Sequence, residues 1–106
     1  MQISQLFDND SLPVSFEIFP PKGDLPVEAA HAIAAELAPL SPAFVSVTYS
    51  AGGSGNSART IDVARMAKDD FGLTMMAHLT CMGATRDDVA AVLSSMREAG
   101  IENVLA

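Results

Sequence analysis

The sequence predicts an α/β protein in which strands and helices alternate along the chain. Three observations carry this prediction. Short runs rich in β-branched and aromatic residues recur at regular intervals, a stretch with apolar residues at helical spacing follows each run, and proline or glycine separates them. Alternation with short connections indicates parallel strands joined by right-handed crossovers.

The composition indicates a folded domain and excludes several classes of partner. Of the 106 residues, 49% are hydrophobic, which is enough to bury a core. The net charge of -7 disfavours binding to nucleic acid or to anionic lipid. The start of the chain lacks a cationic region followed by an apolar one, and no apolar run is long enough to cross a bilayer. We therefore expect a cytoplasmic protein with no membrane partner.

The first strand and helix occupy the chain up to about residue 40. Residues 14–19 (VSFEIF) form a β-rich run, and the two prolines that follow cannot continue a strand ladder. Asp24 can cap a helix that has Pro26 in its first turn and ends near residues 39–42. Its predicted apolar face consists of Ala29, Ala30, Ile33, Ala34 and Leu37.

The second unit begins with a strand over residues 44–49 (FVSVTY). The glycine-rich loop 50–57 (SAGGSGNS) follows, and the helix after it ends at Gly72. The predicted apolar side of this helix consists of Ile61, Ala64, Met66, Ala67 and Phe71.

The third strand covers residues 74–80 (TMMAHLT), and the helix after it starts at a capping box. Thr85 would be the N-cap, with Asp88 in place of the usual Glu three residues later. Gly100 stands where a helix C-cap belongs, and residues 102–106 open a fourth strand. Val89, Val92, Leu93 and Met96 are predicted to face the core.

This alternation fits either an open doubly wound sheet or a (β/α)8 TIM barrel. No G-x-G-x-x-G follows the first strand and no Walker A motif occurs, which removes the commonest reasons to prefer the open sheet. A closed barrel takes roughly 250 residues. We therefore predict that residues 1–106 are the N-terminal part of a single TIM-barrel domain, with the first three βα units and the start of strand four.

Side-chain alternation along the strands predicts a polar rim. The apolar faces should pack on the helices, which sends Glu17, Thr48 and His78 to the barrel interior near the carboxyl ends of three consecutive strands. Ser46 shares the face of Thr48. The three rim residues are 31 and 30 residues apart, about one βα unit each, and barrel enzymes place their chemistry on that rim.

Each rim residue also has a plainer interpretation. Glu17 is either a solvated carboxylate or, because burial disfavours the charged form, a proton donor. His78 is either a core histidine or a ligand contact. His78 with Cys81 lacks the further ligands of a metal site, and a lone cysteine builds no disulfide framework, so no metal is expected. The glycine-rich loop is either a simple turn or a phosphate-binding loop.

Three motifs resemble the opening of the methylenetetrahydrofolate reductase family. They are VSFEIFPPK, FVSVTYSAGGS and AHLTCMGATRDDV, in that order and spacing, and the match runs from about residue 14 to the end. The resemblance implies a (β/α)8 barrel that binds FAD at its carboxyl face. It also implies reduction of 5,10-methylenetetrahydrofolate to 5-methyltetrahydrofolate with a nicotinamide donor, NADH or NADPH, in one-carbon and methionine metabolism.

The resemblance also assigns roles to individual residues. Glu17 matches the catalytic acid of the F-E-x-F-P-P motif, and Thr48, Tyr49, Ala51 and His78 match positions that contact FAD. The family's L-R-G-D motif would begin at the last residues of the chain, so the chain is expected to be inactive alone. The partners implied are folate and NAD(P)H, and we expect the full-length protein to be a homo-oligomer.

Two other hypotheses stay open at this point. One is a flavin-free barrel lyase or aldolase that uses Glu17 and His78 as acid and base. The other is a non-enzymatic half-barrel that pairs with a second copy through its open sheet edges.

Overall fold

The computed structural model describes residues 1–8, 11–22, 26–49 and 57–106, and these form a parallel sheet covered by helices. The four strands of the described sheet run in chain order. They are β1 (Ser15–Ile18), β2 (Phe44–Val47), β3 (Met75–His78) and β4 (Asn103–Leu105). Each pairs in parallel with the next. The strands agree with the predicted runs but are shorter at their ends, because backbone pairing stops before the alternating side-chain pattern does.

Three α-helices connect the strands. They are α1 (Glu28–Leu37), α2 (Ser57–Phe71) and α3 (Arg86–Glu98), with short 3-10 helices at Ile3–Phe7 and Ala38–Leu40. In a doubly wound sheet the strand order reverses at a switch point, so that strand one lies between two others. Here β1 is an edge and β4 lies beside β3. This order is that of the start of a (β/α)8 barrel, while closure into eight strands stays a prediction.

The predicted start of α3 is confirmed. The Thr85 hydroxyl accepts a hydrogen bond from the Asp88 backbone N–H, and the Asp88 carboxylate accepts one from the Thr85 N–H, which completes a capping box. Gly72 and Gly100 follow α2 and α3 with φ values of 67° and 72°, the left-handed conformation that glycine often adopts where a helix ends. The C-cap of α3 is Ala99, so Gly100 lies one residue beyond the C-cap position predicted for it.

The predicted start of the first helix differs from the structure. Helix α1 begins at Glu28, and its N-cap is Val27, whose side chain makes no capping hydrogen bond. Asp24, the expected cap, lies outside the described residues. The backbone carbonyl of Pro26 accepts a hydrogen bond from the Ala29 N–H, so the proline does adjoin the first turn.

The core lies between the helices and one face of the sheet. It is built from small and β-branched side chains of the strands and helices, including Ile18, Ala30, Ala34, Val45, Val47, Ile61, Val63, Ala64, Ala67, Met75, Ala77 and Met96. Three residues expected on apolar helix faces, Ala29, Ile33 and Leu93, are instead exposed. Helices α1 and α3 bury only narrow stripes against the sheet, and no described element covers their flanks.

The N-terminal segment runs beneath the amino ends of β3 and β4. The Asn103 side chain accepts a hydrogen bond from the Ile3 N–H at 2.9 Å and donates to the carbonyls of Met1 and Met75 at 3.0 and 3.1 Å. The Met1 ammonium group pairs with the Glu102 carboxylate. The opposite, carboxyl ends of the strands are therefore the ends that remain available for a site. Within the described ranges, none of the helices has the length and apolar character needed to cross a membrane.

Candidate functional site

Glu17 lies on the face of the sheet that the helices leave uncovered. Its neighbour in β1, Ile18, is buried against them, and the alternation of side chains turns Glu17 to the other side. The Glu17 side chain is 52% exposed, so the burial expected for a barrel interior is not found in this chain. The physical reason is that four strands with helices on one side cover one face only.

Two side chains from the next strands converge on Glu17. The Ser46 hydroxyl of β2 lies 3.5 Å from Glu17 Oε2, and His78 Nε2 of β3 lies 3.6 Å from the same oxygen. Ser46 is 5% exposed and the His78 side chain is 20% exposed. Three polar groups on three adjacent strands therefore meet at one point of the sheet.

The contact between Glu17 and His78 crosses a strand. Inside TIM barrels, side chains pack in layers contributed by alternate strands, and here β1 and β3 meet over Ser46 of β2 in that manner. This one contact across β2 is consistent with the layered arrangement of a barrel interior, although Glu17 itself is half exposed.

The register of the sheet differs from the register predicted by spacing. Glu17 pairs with Ser46, which pairs with Met76, whereas Thr48 and His78 lie two residues further toward the carboxyl ends. Equal spacing along the chain does not give equal height on a sheet, because helix and loop lengths absorb the difference. The long Glu17 side chain and the strand tilt bring its carboxylate to His78 nonetheless.

The first turn of α2 secures the carboxyl ends of β1 and β2. The Thr60 hydroxyl donates to the carbonyl oxygen of Thr48 at 3.1 Å, and Arg59 Nη1 donates to the carbonyl oxygen of Pro21 at 2.7 Å. Thr60 is fully buried. These bonds satisfy backbone groups beyond the strand ends, where the sheet ladder no longer does so. Neither residue was singled out from the sequence, since their role depends on how α2 packs.

His78 Nε2 is a buried polar atom without a hydrogen-bond partner among the described residues. Buried nitrogen atoms of this kind are costly to leave unpaired, and most have a partner in native proteins. A small movement would bring this atom within hydrogen-bond distance of Glu17 Oε2, which lies 3.6 Å away. The role of His78 as a ligand contact stays a prediction.

The other residues expected to contact the cofactor are Thr48, Tyr49 and Ala51, of which the structure describes Thr48 and Tyr49. Thr48 is partly buried at the end of β2, and its backbone N–H donates to the Ile18 carbonyl at 3.1 Å. Tyr49 packs against the core and lines a cleft of about 360 Å³ together with Thr80 of the β3–α3 connection and Val92 of α3. Ala51 lies outside the described residues. The structure thus brings together Glu17 and His78 but does not bring Tyr49 to them.

Ser46 is the site residue to which sequence reasoning gave no role. The available signal was a hydroxyl residue between two valines, on the same strand face as Thr48. The strand register sets Ser46 rather than Thr48 beside Glu17, and the sequence alone does not reveal this register.

The described residues contain no group of three or more His, Cys, Asp or Glu side chains arranged to hold a metal ion. Cys81, considered above as a partner of His78, is exposed.

Comparison with known proteins identifies relatives of the whole described chain. The family model for methylenetetrahydrofolate reductase matches residues 2–106. The 5,10-methylenetetrahydrofolate reductase of Salmonella typhimurium is 39% identical over 93 residues, which cover 88% of this chain and 31% of the relative. The 5,10-methylenetetrahydrofolate reductase of Pectobacterium carotovorum is 38% identical over 93 residues, which again cover 88% of this chain and 31% of the relative. Arabidopsis thaliana methylenetetrahydrofolate reductase (NADH) 1 is 31% identical over 105 residues, covering 99% of this chain and 18% of that protein. The chain therefore spans about a third of the length of these bacterial relatives.

Proposed function

Because the chain belongs to the methylenetetrahydrofolate reductase family, we propose that the protein carrying it reduces 5,10-methylenetetrahydrofolate to 5-methyltetrahydrofolate. The electrons would come from NADH or NADPH through bound FAD. The observation that carries the proposal is the meeting of Glu17, Ser46 and His78 on the uncovered sheet face of a chain that matches the family along its length.

The residues described on this face are compatible with a bound flavin. The His78 side chain is 20% exposed on this face and its Nε2 has no hydrogen-bond partner among the described residues, so a movement of the ring would let it bond a polar edge of a ring system that lies over the strand ends. Thr48 lies at the same level on the neighbouring strand. When bound, FAD would accept hydride from the nicotinamide and pass it to the folate. Thr48 and His78 would hold and orient it.

In this proposal Glu17 is the general acid. Reduction of the substrate requires its five-membered ring to open, which breaks a carbon–nitrogen bond and leaves charge on the departing nitrogen. A carboxyl group within hydrogen-bond reach can donate a proton to that nitrogen as the bond breaks. The resulting iminium carbon then accepts the hydride. Among the described residues, Glu17 is the one acidic side chain at the point where β1, β2 and β3 bring polar groups together.

The site proposed here needs residues beyond those of the chain. The bacterial relatives are about three times as long as the matched segment. We therefore infer that the remaining strands of the barrel supply the rest of the flavin and folate contacts, and that residues 1–106 alone do not turn over substrate. Location in the cytoplasm and assembly into a homo-oligomer stay predictions.

The proposal is tested on the purified full-length protein. We expect it to show the absorption spectrum of a bound flavin, which NADH or NADPH bleaches under anaerobic conditions. Addition of methylenetetrahydrofolate should restore the spectrum and yield 5-methyltetrahydrofolate by mass spectrometry. A colourless protein that takes up no FAD would contradict the proposal and favour the lyase or aldolase hypothesis.

A further inference from the structure

Ser46 places a hydroxyl group at a buried position of β2, where an unpaired polar group would be costly. It lies in β2 between Val45 and Val47, both fully buried, and is itself almost completely buried. Buried hydroxyl groups are normally hydrogen-bonded, because an unpaired one loses its bonds to water without replacement. The recorded partner of the Ser46 side chain is Glu17 Oε2.

The contacts to Glu17 are asymmetric. Ser46 and His78 both approach Oε2, and among residues 1–8, 11–22, 26–49 and 57–106 no contact to Oε1 is recorded. A carboxyl group held through one oxygen has its other oxygen free to face a ligand. Because both contacts fall on Oε2, they favour one orientation of the carboxyl group.

We propose that Ser46 is a positioning residue for Glu17 in the reaction proposed above, on which this inference rests. Its hydroxyl donates to Oε2, and this bond orients the carboxyl group so that Oε1 carries the proton delivered to the substrate. As the carbon–nitrogen bond of the folate ring breaks, the proton moves from Oε1 to the departing nitrogen. Ser46 keeps its own proton throughout, and Oε2 remains its acceptor whether Glu17 is neutral or ionised.

The geometry supports a positioning role rather than proton transfer by Ser46. Its side chain has a single rotatable bond to the oxygen and stands on a strand paired on both sides, so the hydroxyl is held by the sheet itself. The 3.5 Å separation is longer than a typical O–H···O bond of about 2.7–2.8 Å. Catalytic hydrogen bonds are often long in ligand-free proteins and tighten when substrate binds.

The test compares Ser46→Ala, Ser46→Thr and Ser94→Ala in the full-length holoenzyme. Each half-reaction is followed separately by anaerobic stopped flow: reduction of the flavin by NADH, and its reoxidation by methylenetetrahydrofolate. Ser46→Ala should slow reoxidation about 10- to 100-fold, as expected for loss of one hydrogen bond to a charged group, and change flavin reduction less than about 2-fold. Ser46→Thr keeps the hydroxyl and should recover most of the rate.

Ser94→Ala is the control. It removes a hydroxyl from an exposed position of helix α3, away from the sheet face that carries Glu17. Neither half-reaction should change in this variant. If Ser46→Ala loses flavin or fails to fold, Ser46→Cys replaces it, since the thiol fills similar volume as a weaker donor. The same selective loss is expected.

Two outcomes would overturn the inference: an unchanged reoxidation rate in Ser46→Ala, or an equal loss in both half-reactions that Ser46→Thr does not recover. A measurement that needs no turnover separates this inference from the proposed function. The ¹³C NMR signal of the labelled Glu17 carboxyl carbon should move in Ser46→Ala and stay in place in Ser94→Ala. If the wild-type protein reduces no folate, the proposed function fails, while this signal still reports whether Ser46 bonds Glu17.

Discussion

At the scale of single residues, the site follows from the alternation of side chains along each strand. This alternation turns Ile18 to the core and Glu17 away from it, and the structure confirms both directions. Sequence alone could therefore predict the face of Glu17 and His78. It could not predict that Ser46 rather than Thr48 lies beside Glu17, because that depends on the register between strands.

The core side chains give a prediction at the same scale. Met96 of α3 is among the largest fully buried side chains, so Met96→Ala should leave a cavity and lower the free energy of unfolding by about 2–5 kcal/mol. Met82→Ala is the control, because Met82 is exposed and should change stability by less than about 0.5 kcal/mol. Chemical unfolding of the full-length protein measures both. Equal losses in the two variants would show that the packing of α3 is not as described.

At the scale of elements, the sequence predicted helix ends correctly where neighbouring residues cap the helix. The capping box of α3 and the glycine after each of α2 and α3 needed only a few neighbouring residues to be recognised. The predicted start of α1 was wrong. The N-cap is Val27, whose side chain makes no capping hydrogen bond, so the sequence carries no capping signal at that position. The exposed flanks of α1 and α3 were missed for another reason: periodicity shows which residues are apolar, whereas burial depends on neighbouring elements.

The capping box predicts a pH-dependent contribution to stability. The backbone N–H of Thr85, and then its hydroxyl, donate to the Asp88 carboxylate and lower its pKa below the usual 3.8. A carboxyl group with a lowered pKa in the folded state stabilises the protein above its unfolded pKa, and this contribution disappears as the pH falls through the folded pKa. Asp88→Asn should therefore unfold at a lower temperature than wild type at pH 7, with the difference shrinking below about pH 4.

Thr85 provides the companion variants. Thr85→Ala removes the N-cap hydroxyl and should cost about 1 kcal/mol, whereas Thr85→Ser keeps the hydroxyl and should cost much less. Thermal unfolding of the full-length protein between pH 3 and pH 7 would test all three variants. A difference between Asp88→Asn and wild type that is the same at every pH would contradict a stabilising role of the ionised Asp88 carboxylate.

At the scale of the whole molecule, the order of the described strands favours one of the two architectures that the sequence left open, the (β/α)8 barrel, whose closure stays a prediction. Alternating strands and helices occur in both, and only the neighbours of each strand distinguish them. The order β1-β2-β3-β4 and the contact of Glu17 with His78 across β2 are features of a barrel that has begun to form. Chain length could only suggest this, since no local pattern encodes which strands become neighbours.

The uncovered sheet face agrees with the proposal that further residues complete the site. Glu17 is half exposed although its neighbours Ser46 and His78 are not, so its solvent-facing side is the side that further strands and bound ligands would cover. The chain spans about a third of its bacterial relatives, which agrees with a rim that carries part of the site.

The central claim is that Glu17 delivers the proton for folate reduction, and the replacement Glu17→Gln in the full-length protein tests it most directly. Glutamine keeps the size of the side chain and can still accept from Ser46, but it has no carboxyl proton to give. The variant should bind flavin and be reduced by NADH at nearly the wild-type rate, while transfer from the reduced flavin to methylenetetrahydrofolate should be abolished. Loss of flavin binding or of both half-reactions together would contradict this account and assign Glu17 a structural role.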